Sequence, residues 1–325
     1  MCKRIITHSD FDGIVSASIC SYVLRVEDIL FAQPSTITNS LIPITEQDCI
    51  CDLPYPLKCG LWFDHHEGNL QELEYRKIDP FAIKGRFALL DSCSRVIYQY
   101  FSEETDLPSY FEEVVSEADL IDSFGYRSME EWRRETPGSI INNSLRAKDE
   151  DWREERRYLR ELVFLIRDNP IEEIASHPKI MERYNKYKDE ENRMLDMIGK
   201  SSYFLPQDTN REVVVIDLTE YSRRPNIIKN LTYLLYPDAL AVLEINSLFE
   251  RGIKTNSLSF SMSLSLNLNL VEHRRNIGEI MRTLNIGDGH PGAASGRIVC
   301  KSKPEMLKKK REIMDKIYEL WSSQE

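Results

Sequence analysis

The chain has no apolar run approaching the roughly 18 residues of a membrane span, so no membrane-crossing helix is expected. It also has no cysteine pairing framework. The seven cysteines, an odd number, fall in apolar or strand-like contexts. That points to a reducing cytoplasm and away from a disulfide-stapled secreted scaffold. The apolar part of 1–6 is too short for a secretory signal, which adds to the same expectation. Cys49 and Cys51 are two apart, which is not a zinc-ribbon spacing, and read as buried strand residues. Positive charge is short as well: 42 Lys and Arg stand against 53 Asp and Glu, a formal net charge of −11. Proteins that grip long duplex nucleic acid usually carry the opposite sign. Duplex nucleic acid and membrane are therefore not expected as partners, and a small or short anionic substrate is. There is no internal repeat and no low-complexity tract.

What is present is an alternation of short apolar strands and helical stretches over 1–125. Strands are expected at 5–7, 28–32, 49–51 and 61–63, and helices at 14–24, 88–101 and 112–121. This pattern predicts an α/β fold with a mainly parallel sheet and helices on both faces. Residues 126–200 are charge-rich with helical period and read as a helical connector. A second, smaller α/β region with a mixed sheet follows. It has strands at 212–218 and 239–245, a helix at 227–235, an alternating strand at 257–270, a helix start at 276 and a C-terminal helix at 304–321.

The chemistry-bearing residues follow the strands. His8-Ser9-Asp10-Phe11-Asp12-Gly13 comes directly after the first; in an extended segment His8, Asp10 and Asp12 would share one side. Asp52 follows the strand at 49–51, and Asp64-His65-His66 the strand at 61–63. In open parallel sheets, sites form at the carboxyl ends of the strands. One such motif alone is a turn or a surface pair, but three in order build a site. Carboxylates and imidazoles packed together need a cation to neutralise them. Two divalent ions need a bridging carboxylate and further oxygen or imidazole ligands, and His8, Asp10, Asp12, Asp52, His65 and Asp122 supply them. The donor set suits manganese, with magnesium or cobalt as alternatives.

HSDFDG (8–13), the aspartate of CDLP (51–54), DHH (64–66) and the aspartate of LIDS (120–123) together resemble the DHH phosphoesterase superfamily. GDGHPGAASG (287–296) is similar to the glycine-rich signature of its DHHA1 domain. The resemblance implies a DHH catalytic domain with its helical connector over 1–200 and a DHHA1 substrate-binding domain over 206–325. It implies one ion on His8, Asp10 and Asp52 and a second on Asp12, Asp52, His65 and Asp122, with Asp52 bridging. Asp119 competes with Asp122 for the fourth motif; the small hydroxyl residue after Asp122 favours Asp122. His66 would contact the phosphoryl or leaving-group oxygen, with Asp64 supporting the histidines from behind. Gly289 and His290 would bind substrate. The family's usual arginine on the preceding strand is missing from 257–265, so Arg274, Arg275 or Arg282 would replace it. Asp288 stands where the family has glycine, which is unfavourable near a phosphate unless it points away.

The implied activity is hydrolysis of short nucleotide phosphodiesters or phosphomonoesters by a hydroxide that two metals activate. Candidate substrates are nanoRNA, 3′-phosphoadenosine phosphate and cyclic dinucleotides. An exopolyphosphatase is the enzymatic alternative, and a non-catalytic nucleotide-binding sensor the alternative of another class. A longer single-strand exonuclease would call for an added binding domain with basic and aromatic surfaces. A homodimer is the assembly to look for.

Overall fold

The computed structural model describes residues 2–147, 151–223, 225–270 and 273–324. It divides into two compact units, 1–126 with 134–188, and 127–133 with 189–325.

The first unit holds five strands, β1 (Arg4–Thr7), β2 (Ile29–Phe31), β3 (Asp48–Cys51), β4 (Leu61–Asp64) and β5 (Gly85–Phe87), all parallel in the order β2-β1-β3-β4-β5. Ile5 and Ile6 show why both faces are covered. Adjacent strand residues point to opposite sides, and each joins a different apolar cluster. On the Ile5 side lie α1 (Phe11–Leu24), α4 (Cys93–Ser102), α5 (Tyr110–Asp122) and α8 (Trp152–Asp168). On the Ile6 side lie α2 (Pro34–Thr38) and α3 (Glu67–Tyr75), through Ile37 and Leu73.

Helix α1 is buried nearly all round, from Phe11 to Ser21, and is built from small and apolar residues without an amphipathic stripe. Helix α8 is the opposite case: Tyr158, Leu159, Leu162, Val163 and Ile166 are buried on one face and arginines and glutamates fill the other. Helices α6 (Met129–Arg133), α7 (Pro137–Ser144), α9 (Ile171–Ala175) and α10 (Pro178–Ser201), together with α8, make up the expected helical stretch. The boundary between the units falls inside α10.

The second unit carries a mixed six-stranded sheet. Its strands are β6 (Ser202–Tyr203), β7 (Val213–Asp217), β8 (Ala241–Glu250), β9 (Ile253–Leu264), β10 (Gly287–Gly289) and β11 (Ala293–Ile298), in the order β10-β11-β9-β8-β7-β6. Only β7 and β8 pair in parallel. One face packs Val215, Leu243, Phe260 and Met262 against α12 (Ile277–Thr283) and α13 (Lys303–Ser323). The other packs Val214, Ile216 and Val242 against Leu231, Tyr233 and the end of α10. No helix among the described residues is long and apolar enough to cross a membrane.

Several elements differ from the sequence expectation. The helix expected at 88–101 starts only at Cys93, because Ser92 caps it by accepting the amide of Arg95 and the chain before it forms β5 and a loop. The strand expected to reach residue 270 ends at Leu264 and continues as a 3₁₀ turn, Leu266–Leu270. The helix at 227–235 shrinks to two short turns, Lys229–Leu231 and α11 (Thr232–Leu235). The glycine-rich 287–296 segment is a hairpin of β10 and β11, with Gly287 opposite Gly296.

Candidate metal centre

Strand β1 ends at Thr7, and Asp10 then caps α1 by accepting the amide of Gly13 at 3.0 Å. Asp12 therefore sits in the first helical turn and not on an extended strand, and the tight reversal brings Gly13 against the His8 backbone. Gly13 permits this reversal, since a Cβ there would lie 2.5 Å from the His8 carbonyl oxygen. Asp12 is buried, and its two oxygens accept the amides of Cys93 and Ser94 at 2.8 Å each, at the N-terminus of α4.

Asp52 follows β3 with φ of 57°, in the left-handed region that aspartate tolerates better than most residues. Its amide donates to the Phe63 carbonyl in the neighbouring strand, and its carboxylate is 3% exposed. At the end of β4, Asp64 is fully buried and accepts from His66 Nδ1 at 2.8 Å and from Asn69 Nδ2 at 2.6 Å.

These elements bring the candidate ligands together. His8, Asp10 and Asp52 form one group whose donor atoms lie within 4.8 Å of one another, and Asp12, His65 and Asp122 form another; Asp52, His65 and His66 make a third. Asp52 stands between the first two, with Oδ2 3.6 Å from His8 Nδ1 and Oδ1 3.8 Å from His65 Nε2. Asp119 is withdrawn from the centre. Its oxygens accept from Ser92 Oγ at 2.6 Å and Arg95 Nε at 2.8 Å, which leaves Asp122 as the residue of that helix facing His65.

The electrostatics are those of carboxylates crowded together out of water. Burial, with Asp122 and Asp10 nearby, pushes the Asp12 carboxyl up to about 7. Burial and the neighbouring Asp12 push Asp52 well above the carboxylate range, and burial raises Asp122 too. Hydrogen bonds to Asp10 and Asp52 raise His8 to about 10.

Two buried atoms test the fit directly. His65 Nδ1 faces the Leu90 carbonyl at 2.9 Å and so carries the ring proton. His65 Nε2 is then a bare lone pair, buried without a hydrogen-bond partner, aimed at Asp122 (3.3 Å), Asp52 (3.8 Å) and Asp12 (3.9 Å). Asp52 Oδ1 is likewise buried and unpartnered. A lone pair among carboxylates is unfavourable unless a cation lies between them. The donor set fits a hard or borderline divalent ion.

The sequence reading missed several supporting groups. Gln33, the residue before α2, faces His8 Nε2 at 3.3 Å through Oε1 and donates to Ser9 Oγ at 3.1 Å. The Leu90 carbonyl and the Cys93 and Ser94 amides are backbone groups with no residue signature. Asn69 lies three residues past the DHH triplet, and its amide type was the only available signal.

In the second unit, the amides of Gly289 and His290, the residues expected to bind substrate, are taken up within the hairpin. Gly289 N donates to Asp288 Oδ1 at 2.8 Å and His290 N to the Ala293 carbonyl at 2.9 Å. The hairpin instead caps α12, whose Gly278 and Ile277 amides donate to the carbonyls of His290 and Pro291. Gly278 allows that approach, since a Cβ there would lie 2.3 Å from the Gly289 carbonyl oxygen. Asp288 is turned aside into a pair with Arg282 at 2.5 Å. Arg275 is buried, stacked 4.2 Å from the Trp321 ring, and donates to the Trp321 carbonyl and to Glu212, so it fastens α13 and is not free for substrate. The side chains of His290 and Arg274 are exposed. In the same unit, Glu244, Asn246, Ser259, Ser261, Ser295 and Arg297 line a polar cavity of about 490 Å³ on β8, β9 and β11.

No protein-family model matches the chain, and no curated protein does. Solved structures do. A pGpG-specific phosphodiesterase, PggH, from Vibrio cholerae superposes with a TM-score of 0.71 at 23% identity over 97% of this chain and 98% of that one. The DHH domain of a protein described as belonging to a family of ribosomal proteins gives 0.58 at 12% identity, over 98% and 86%. RecJ from Thermus thermophilus, in complex with Mn²⁺, gives 0.53 at 12% identity, over 97% of this chain and 52% of that one.

Proposed function

We propose that this chain, which has the fold of the DHH-domain proteins, is a metal-dependent phosphoesterase that hydrolyses short nucleotide phosphodiesters or phosphomonoesters. The observation that carries the reading is the bare, buried Nε2 of His65 among three carboxylates. Two divalent cations would be held, one by His8, Asp10 and Asp52 and the other by Asp12, Asp52, His65 and Asp122, with Asp52 common to both. Manganese is the proposed metal, in keeping with the donor set and with the manganese of the RecJ neighbour. When bound, such ions supply a nucleophilic hydroxide at neutral pH and neutralise phosphoryl oxygens.

The chain's own residues do the rest. The amides of Cys93 and Ser94 fix Asp12, the Leu90 carbonyl fixes the His65 ring, and Gln33 orients His8. Such supporting partners are worth roughly 10–100-fold in metal affinity or activity. His66 is half-exposed, and its hydrogen bond to Asp64 raises its pKa. It is thus kept protonated nearer neutral pH, suited to donate to a phosphoryl or leaving-group oxygen. The first unit is the proposed catalytic domain and the second the proposed substrate-binding domain, using His290, Arg274 and the polar face around Ser261.

The pGpG specificity of the Vibrio neighbour supports a short nucleotide as substrate. The test is a panel of dinucleotides, 3′-phosphoadenosine phosphate, cyclic dinucleotides and polyphosphate, assayed with manganese and after chelation. Chelator-sensitive hydrolysis of a nucleotide is expected. Turnover of polyphosphate alone would replace this reading with an exopolyphosphatase, and nucleotide binding without any turnover would replace it with a sensor.

A further inference from the structure

Three thiols meet in the core of the first unit, apart from the centre described above. Cys49 and Cys51, two apart on β3, face the same side of the sheet, and Cys20 comes down on them from α1. The sulfur separations are 3.6 Å for Cys20–Cys51, 3.8 Å for Cys49–Cys51 and 3.9 Å for Cys49–Cys20. All three residues are fully buried in one apolar cluster with Phe63, Val96 and Ile97. Each sulfur has the other two as its hydrogen-bonding neighbours, whereas Cys93 gives its thiol proton to the Phe63 carbonyl at 3.3 Å.

We propose that Cys20, Cys49 and Cys51 form a closed binding site for one monovalent thiophilic cation of the copper(I) class. The centre of the sulfur triangle lies about 2.2 Å from each corner, close to the ~2.3 Å of a metal–thiolate bond. Sulfur ligands select soft cations such as copper(I) over the hard ions that suit carboxylates. Zinc is the weaker fit, because structural zinc takes four ligands and only three converge here among the described residues. No electron changes hands. The bound cation joins α1 to β3, the elements that lead from Asp12 and into Asp52, so its effect is to brace the scaffold.

The full-length protein is titrated anaerobically with copper(I) as its bicinchoninate complex, whose colour reports what the protein withdraws, and X-ray absorption at the copper edge reads the coordination. One tightly held equivalent with three sulfur neighbours is expected, lost in Cys49→Ala and kept in Cys2→Ser/Cys59→Ser, which leaves the trio intact. Circular dichroism checks that Cys49→Ala is folded. If it is not, the Cys2→Ser/Cys59→Ser protein still decides, since loss of the equivalent there assigns copper to the outer thiols. Two-sulfur coordination, equal withdrawal by Cys49→Ala, or no withdrawal at all would overturn the proposal.

Discussion

His65 Nε2 lies 3.3 Å from Asp122 Oδ2, yet the ring's proton is on the far nitrogen, given to the Leu90 carbonyl. A backbone oxygen on a loop thus decides which face of the imidazole is basic. The pair is an electrostatic mismatch by itself; under the proposed function both would be donors to a shared cation.

Asp52 stands between the two ligand groups, so its loss should be felt by both. Asp52→Ala is expected to abolish turnover and to loosen both ions, because two cations without a bridging charge repel at short range. Metal content by plasma spectrometry, measured alongside rate, checks this. Full activity with two ions retained would remove Asp52 from its role.

His66 should behave differently. His66→Ala is expected to keep its metal and lose about 10²–10⁴ in rate, the usual worth of an acid or base group. Loss of one ion instead would mean that His66, which shares a group with Asp52 and His65, is a ligand.

The exposed His290 side chain gives a test of the division of labour. His290→Ala is expected to lower kcat/KM for a dinucleotide about 10–150-fold more than for bis-p-nitrophenyl phosphate, the range set by one charge-assisted contact of about 1.5–3 kcal/mol. Remote binding energy lowers the barrier only for substrates that reach the remote group. Equal losses on both would make His290 a part of the hairpin's structure alone.

Lys229 gives a pH signature in the second unit. It donates to Ser261 at 2.9 Å, and burial brings its pKa down to about 8. Between pH 8 and the unfolded value of about 10.4 the unfolded chain binds the proton and the folded chain does not, so stability rises with pH across that window. Lys229→Met is expected to remove this rise: urea midpoints of the two proteins should converge from pH 8 to pH 10, the variant being the more stable at pH 7. A constant difference across the window would mean that Lys229 is not desolvated in the folded state.

The strand-end motifs are legible in the sequence because hydrophobic strands and the polar residues after them share one linear pattern: Ile5 and Ile6 before His8, Cys49 to Cys51 before Asp52, Leu61 to Phe63 before Asp64. The choice between Asp119 and Asp122 needs the structure, since both lie on α5 and what separates them is Arg95 and Ser92 at the start of another helix. The hairpin at 287–296 shows no strand pattern in the sequence because its pairing with β9 is tertiary and glycine carries no strand signal. Arg275 reads as an anion contact because charge normally stays at the surface, and only the Trp321 ring and Glu212 explain its burial. The thiol trio escapes a linear reading because spacing along β3 shows two cysteines and says nothing of the one that α1 delivers.

The proposed ligand set reaches from His8 to Asp122, and Asp12 is held only once α4 has docked its first amides. A chain still being synthesised would therefore lack the full set until just over a third of it is made and the parallel sheet is assembled. Under the proposed function, metal would bind the folded form alone and pull the folding equilibrium towards it by mass action. Metal-starved cells should accumulate less of this protein as well as less of its activity.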